Sequence, residues 1–311
     1  MTTRAMWATI AMGLTLTMSG CGGDAEPDSA AGGGDGELAG ATLTVGSKEF
    51  TESILLGKIT ALALEDAGAE VEDQTGISGS ATVRAALESK DIDLYWDYTG
   101  TGWVNILGND PNDLPDDLYE AVSTADAENG IAWLEPAPFE NAYALAVTSA
   151  FAEENDVTTI SDAAEYVEQN PDDGVICAAS EFLNRDDGLP GLQEAYGMEF
   201  TSVNELDFNL IFTQVGESCA FGEVTTTEGR VLSQDLTILE DDKDFFLEYL
   251  GVLTLRQETL DEYPAIEEIM APISEALTDE VITELNSKVD VEGEQPQAVA
   301  EEWMESEGFV G

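Results

Sequence analysis

Beyond residue 40, apolar and polar positions follow two rhythms. Thr42 to Gly46 is a short apolar run of strand length. From Ser53 to Ala67 the apolar side chains Ile54, Leu55, Ile59, Leu62 and Ala63 recur at helical spacing, and Gly68 supplies a stop. Glu70 to Asp73 predicts a weak strand. Ser80 to Ser89 predicts a helix with Val83, Ala86 and Leu87 on one face, and Ile92 to Trp96 a further strand. Strand–helix–strand units of this length predict an α/β fold with largely parallel sheets. A second such block runs from Val175 to about Leu239. From about Leu260 an amphipathic helical stretch would bury Ile266, Ile269, Met270, Ile273 and Leu277. No repeat of fixed period appears, which argues against a solenoid.

The first forty residues obey another rule. Arg4 precedes a run of apolar and small residues, Ala5 to Met18, followed by Ser19-Gly20-Cys21. A charged start, a short apolar stretch and small residues before a Cys read as a signal peptide over 1–20. The run is too short to stay in a bilayer as a helix. Met18-Ser19-Gly20-Cys21 resembles a bacterial lipobox, with Met18 where Leu is more usual, so Cys21 is the expected lipidation site. The Gly-, Asp- and Ala-rich tract over 21–40 reads as a flexible tether. Together they predict an extracytoplasmic chain, lipid-anchored to the outer face of the cell membrane.

Composition narrows the function. The 311 residues carry 65 Asp and Glu against 10 Lys and Arg, a formal charge of −55, and no His. Lacking His, the chain has no His-based triad, acid–base pair or zinc site. So acidic a surface repels nucleic acid and anionic headgroups. The acid is spread along a globular composition, which reads as a solvation device for high salt, where about 1 M salt shortens the Debye length to roughly 3 Å. Cys177 and Cys219 lie in short apolar segments; an exported protein could bridge them or bury both as free thiols, and both alternatives stay open.

Val45-Gly46-Ser47-Lys48-Glu49-Phe50-Thr51-Glu52 resembles the opening strand and loop of the glycine betaine/choline-binding proteins of osmoprotectant ABC importers. The likeness continues through Asp93 to Thr101, Asn141 to Leu145, Glu181 to Gly188, Glu223 to Arg230, Leu239 to Phe246, and Tyr249. The blocks keep the family's order and spacing over nearly all of residues 41–311. This resemblance implies a two-lobed type II periplasmic-binding-protein fold with two chain crossings between lobes. Lobe one would take 41–146 plus 250–311, and lobe two 147–249. It implies a small-molecule quaternary-ammonium ligand, a permease partner, no cofactor or metal, and a monomer.

A trimethylammonium group has no N–H to donate and is held by aromatic faces, each worth about 0.5–2 kcal/mol. The family's tyrosine box matches Tyr98, Tyr143 and Tyr249, while its fourth tyrosine is replaced here by Thr225. Phe221 and Trp96 are candidates to fill that gap. The carboxylate of a betaine wants charge-assisted donors, and the matching positions are Lys48, Thr101 and Arg185. This clamp points to glycine betaine or a relative. Choline, carnitine, ectoine or an amino-acid-like solute are the alternatives, with a ligand sensor or an enzyme on the same fold behind them. Trp103 and Trp133 read as core or rim. Gly76 to Ser80 reads as a turn and N-cap. Asp186-Asp187 and Asp241-Asp242, without the spacing of a calcium loop, read as solvated acids.

Overall fold

The computed structural model describes residues 36–311; the expected signal peptide, the expected lipidation site Cys21 and the expected tether as far as residue 35 lie outside the described residues. From Gly36 the chain already packs. Leu38 is buried and its N–H donates to the Ala67 carbonyl at 2.9 Å, so the folded part begins before residue 41.

Two five-stranded sheets share one plan. The first contains β1 (Thr42–Lys48), β2 (Glu70–Ile77), β3 (Leu94–Tyr98) and β4 (Ile131–Trp133). The second contains β5 (Tyr143–Thr148), β6 (Val175–Ala178), β7 (Ser202–Glu205), β8 (Phe221–Thr225) and β9 (Leu236–Ile238), and β10 (Gly251–Arg256) returns to the first. The strand orders are β2-β1-β3-β10-β4 and β7-β6-β8-β5-β9. In each sheet four strands share one direction, and the strand arriving from the other lobe runs antiparallel between two of them. Most strands therefore run parallel, as the local pattern predicts, and the single antiparallel strand makes each sheet mixed. Periodicity reports which faces are buried, not the direction of a partner distant in sequence.

Helices cover both faces of each sheet. On the first, the helix Thr51–Asp66 buries Leu55, Leu56 and Ile59 against Met270, Ile273, Leu285 and Trp303 of the C-terminal helices. Each such side chain gains about 1.5–3 kcal/mol on burial. The other face packs Val83 and Leu87 of the helix Ser80–Ser89 against Val122 and Trp133. The C-terminal stretch forms four helices, and Ile266, Met270, Ile273 and Leu277 are buried while Ile269 is half-buried. No helix among the described residues is long and apolar enough to cross a membrane.

The two crossings between sheets run side by side. Glu140 and Leu250 form an isolated antiparallel bridge, and the Asn141 N–H donates to the Tyr249 carbonyl at 3.0 Å. Residues 143–146, assigned from sequence to lobe one, stand in the second sheet. There Tyr143 pairs with Thr225 and Leu145 with Glu223, so the crossing falls before Tyr143. Cys177 on β6 and Cys219 just ahead of β8 are joined by a disulfide with Cα atoms 5.7 Å apart.

Candidate functional site

The topology turns one end of each sheet toward the same cleft. β1, β3, β6 and β8 all finish there, at Lys48, Tyr98, Ala178 and Thr225. β5 starts there with Tyr143, opposite Thr225, and Tyr249 stands two residues before Gly251, which pairs with Tyr98. Open α/β sheets put ligands at such carboxyl ends. The cleft is a cavity of about 560 Å³, and Lys48, Tyr98, Thr101, Tyr143, Arg185, Thr225 and Tyr249 all line it. All seven residues named from the sequence are thus brought together.

Two of the three tyrosines are fixed at their far ends. The Tyr98 hydroxyl donates to Glu52 Oε1 at 2.8 Å and the Tyr249 hydroxyl to Asp187 Oδ2 at 2.5 Å. Tyr143 and Tyr249 meet edge to face, 5.4 Å apart at 82°, the arrangement that aromatic quadrupoles favour. A Cβ on Gly100 would come within 2.5 Å of the Tyr249 ring, so only glycine lets that ring lie against the loop after β3. Phe221 and Trp96 do not fill the gap at Thr225. Phe221 packs against Phe151 and Phe200 in the core of the second lobe, and the Trp96 indole N–H is tied to Thr60 in the first. The additional aromatic walls are Phe50, 6.1 Å from Tyr98, and Phe208, 6.4 Å from Phe50. Phe50 sits inside the family-like stretch Lys48-Glu49-Phe50-Thr51; nothing local marks Phe208.

The bases carry their own counterions. Lys48 Nζ donates to Asp97 Oδ1 at 2.7 Å and lies 4.9 Å from the centre of the Tyr98 ring. Arg185 holds Asp187 with Nε and Nη2, at 2.8 and 2.5 Å, and through Nη1 reaches Glu181 at 2.8 Å and the Thr101 hydroxyl at 3.3 Å. Asp187, which the sequence reads as a solvated acid, is buried, because burying Arg185 requires a paired charge beside it.

Glu181 also bridges the lobes, accepting from the Ser80 N–H at 3.1 Å and the Ser80 hydroxyl at 2.7 Å. Burial alone would raise its carboxyl, but the charges of Lys48 and Arg185 and the Ser80 donors hold it down to about 2. The helix Ser80–Ser89 is therefore capped by carboxylates from outside, Glu181 and Glu49, rather than by its own residues. Glu52 accepts from Tyr98, Asn141, Thr227 and Asn286, tying both lobes to a tyrosine of the cavity wall. Burial raises its carboxyl in spite of those four donors. Burial likewise pushes Glu223, on the cavity wall, up to about 8, with the Glu181 charge adding to the effect. Among the described residues no group of three or more Cys, Asp or Glu side chains could hold a metal ion.

Two mixed sheets joined by paired crossings around an aromatic-lined cleft define a two-lobed solute-binding protein. The chain belongs to the family described as the substrate binding domain of ABC-type glycine betaine transport systems, which matches residues 41–306. A glycine-betaine-binding protein of Pseudomonas aeruginosa is 35% identical over 85% of this chain and 87% of its own length. An ergothioneine transport permease/ergothioneine binding protein of Helicobacter pylori is 33% identical over 86% of this chain, which spans only 48% of that protein. The apo structure of YehZ from Escherichia coli, 28% identical, superposes with a TM-score of 0.64 over 86% of this chain and 99% of that one. The family is one of transport binding proteins, not of enzymes, and the function is capture of a glycine betaine-like solute for an ABC transporter.

Proposed function

We propose that this chain is the lipid-anchored form of such a receptor, held through Cys21 outside the membrane, and that it works as a monomer delivering glycine betaine or a related betaine to its permease. The observation that carries the ligand class is the meeting of Tyr98, Tyr143 and Tyr249 in one cavity with Lys48 and Arg185. The tyrosine faces, with Phe50 and Phe208, are the surfaces a trimethylammonium group needs, each worth about 0.5–2 kcal/mol when water is excluded. Acids outnumber bases on the wall, with Glu49, Glu181, Asp207 and Glu223 against Lys48 and Arg185. That balance favours the cationic end of the solute.

The carboxylate end has donors to meet even though both bases are paired. Lys48 offers three N–H bonds and gives one to Asp97. Arg185 has five, of which Nε gives one, Nη1 two and Nη2 one. The remaining donors and the Thr101 hydroxyl form the clamp. Titration calorimetry across glycine betaine, proline betaine, carnitine, choline, ectoine and dimethylsulfoniopropionate tests the reading. Binding of one or more quaternary-ammonium solutes supports it. Binding of ectoine alone, or of none, overturns the cage.

A further inference from the structure

Alternate residues of β8 share a face, so Phe221, Glu223 and Thr225 point the same way. Phe221 sits in the core, while Glu223 and Thr225 reach the cavity. Glu223 is only 2% exposed. Its Oε2 accepts the Ala179 N–H at 2.6 Å. Among the described residues no donor reaches Oε1, and no base forms an ion pair with this carboxyl.

The other carboxylates at or behind the wall are matched. Asp97 has Lys48 and Tyr95, Asp187 has Arg185 and Tyr249, and Glu181 has Arg185 and Ser80. Glu49 takes the Gly79 N–H and the Ser78 hydroxyl, and Asp207, which takes the Asn209 N–H on Oδ1, is exposed to water. Among the buried carboxylates of the wall, Glu223 Oε1 is the acceptor left over, on a residue that lines the space a ligand would fill.

Glycine betaine carries no O–H or N–H. Closing the lobes on it would seal Oε1 away without a partner, and buried polar groups are costly in that state. We infer that Glu223 reads a hydrogen-bond donor on the ligand, and that the solute is a betaine bearing an O–H or N–H in addition to its quaternary ammonium. This rests on the betaine reading above and narrows it. Glu223 is well placed to do so, two residues along β8 from Thr225 and about 7 Å from the gap in the aromatic box. A cavity of about 560 Å³ also leaves room for a betaine larger than glycine betaine. Burial raises the Glu223 carboxyl while the cleft is empty, and a ligand donor at Oε1 favours its ionised, accepting form.

Matched ligands isolate the donor. Carnitine and γ-butyrobetaine differ by one hydroxyl, and trimethylhistidine adds an imidazole N–H to the betaine frame. The unmodified protein should bind carnitine at least about tenfold more tightly than γ-butyrobetaine, or trimethylhistidine at least about tenfold more tightly than glycine betaine. In Glu223→Gln the amide oxygen must stay on the Ala179 N–H, which turns the NH₂ toward the ligand. The variant should therefore lose the preference while still binding γ-butyrobetaine and glycine betaine, and that retained binding shows that it folds. If the betaines bind but neither pair differs, or if Glu223→Gln keeps the preference, Glu223 is not a reader of donors. If no betaine binds at all, the ligand class itself is wrong.

Discussion

Arg185 and Asp187 form a two-pronged ion pair, Nε to Oδ1 at 2.8 Å and Nη2 to Oδ2 at 2.5 Å, and Tyr249 donates to that same Oδ2. One tyrosine and one base of the cavity wall thus share a single buried carboxylate. Removing the base alone strands that charge, which costs about 3–5 kcal/mol. Arg185→Ala should therefore lower unfolding stability by that order in urea titrations. Arg185→Met combined with Asp187→Leu should regain most of it, because no uncompensated charge remains. The double variant is then the place to measure ligand preference. The unmodified protein should favour glycine betaine over choline at least about tenfold, and the double variant should bring the ratio toward one. A single variant as stable as the parent would show that Asp187 finds another partner.

Thr225 stands opposite Tyr143 where β5 meets β8, on the wall of the cavity. A tyrosine there adds a ring face to a box that otherwise relies on Phe50 and Phe208. Thr225→Tyr should tighten trimethylammonium binding by up to about tenfold, since 1.4 kcal/mol is one decade. Weaker calorimetric binding would mean that Thr225 leaves room for a bulkier solute.

What could be read from the chain and what could not follow one physical division. Lys48, Tyr98, Thr101, Tyr143, Arg185, Thr225 and Tyr249 converge because each lies within a short block carrying the family resemblance. Their partners are harder to see. Asp187 is two residues from Arg185 and reads as half of a solvated acid pair, since sequence does not report that the neighbouring base is buried. Glu52 gathers Tyr98, Asn141, Thr227 and Asn286 from four distant segments, a convergence only the fold creates. Phe208 comes from the second lobe to stand near Phe50 of the first, with no local periodicity to announce it. The antiparallel β5 and β10 are of the same kind, set by where the chain returns.

Glu223 gives a pH signature. Burial, with the Glu181 charge beside it and against the pull of Arg185 and the Ala179 N–H, raises its carboxyl to about 8 from an ordinary 4.5. A raised carboxyl stabilises the fold fully below its unfolded value and loses that contribution as pH climbs through the folded one. Melting of the unliganded protein should accordingly fall between about pH 4.5 and 8. Other carboxyls, the buried Glu52 and the half-buried Asp290 among them, are raised too. The readout is therefore the difference from Glu223→Gln, whose curve should be flatter over that window. Parallel curves would mean that Glu223 stays ionised.

The Cys177–Cys219 bridge spans 42 residues and ties β6 to the chain entering β8. In the chain-entropy picture a loop of that size contributes about 3–4 kcal/mol by restricting the unfolded chain. Peptide mapping without reductant should recover the two cysteines in one linked pair. Cys177→Ala with Cys219→Ala should lose stability of that order while keeping ligand affinity, since neither residue lines the cavity. Two alkylatable thiols in the native exported protein would contradict the bridge.

Charge is the last test, because the described bases are nearly all committed. Lys48, Lys58, Arg84, Lys90, Arg185, Arg230, Arg256 and Lys288 each sit in an ion pair, and Lys243 donates to the Ala195 carbonyl. Against 65 acids, these pairs leave most of the carboxylates facing one another across solvent. Repulsion of that kind penalises the compact state and fades as the Debye length shrinks, from about 8 Å at 0.15 M to about 3 Å at 1 M. The melting temperature should thus rise by several degrees from dilute buffer toward 1 M NaCl, with most of the gain at the low end. Salting-out of apolar surface would also raise it, but that effect grows steadily with concentration and depends on the anion. Sodium thiocyanate separates the two. At a few tenths molar it screens as well as chloride and should give a similar early rise, whereas salting-out predicts a fall. A flat or declining curve in NaCl would remove salt adaptation as the reason for the −55 charge.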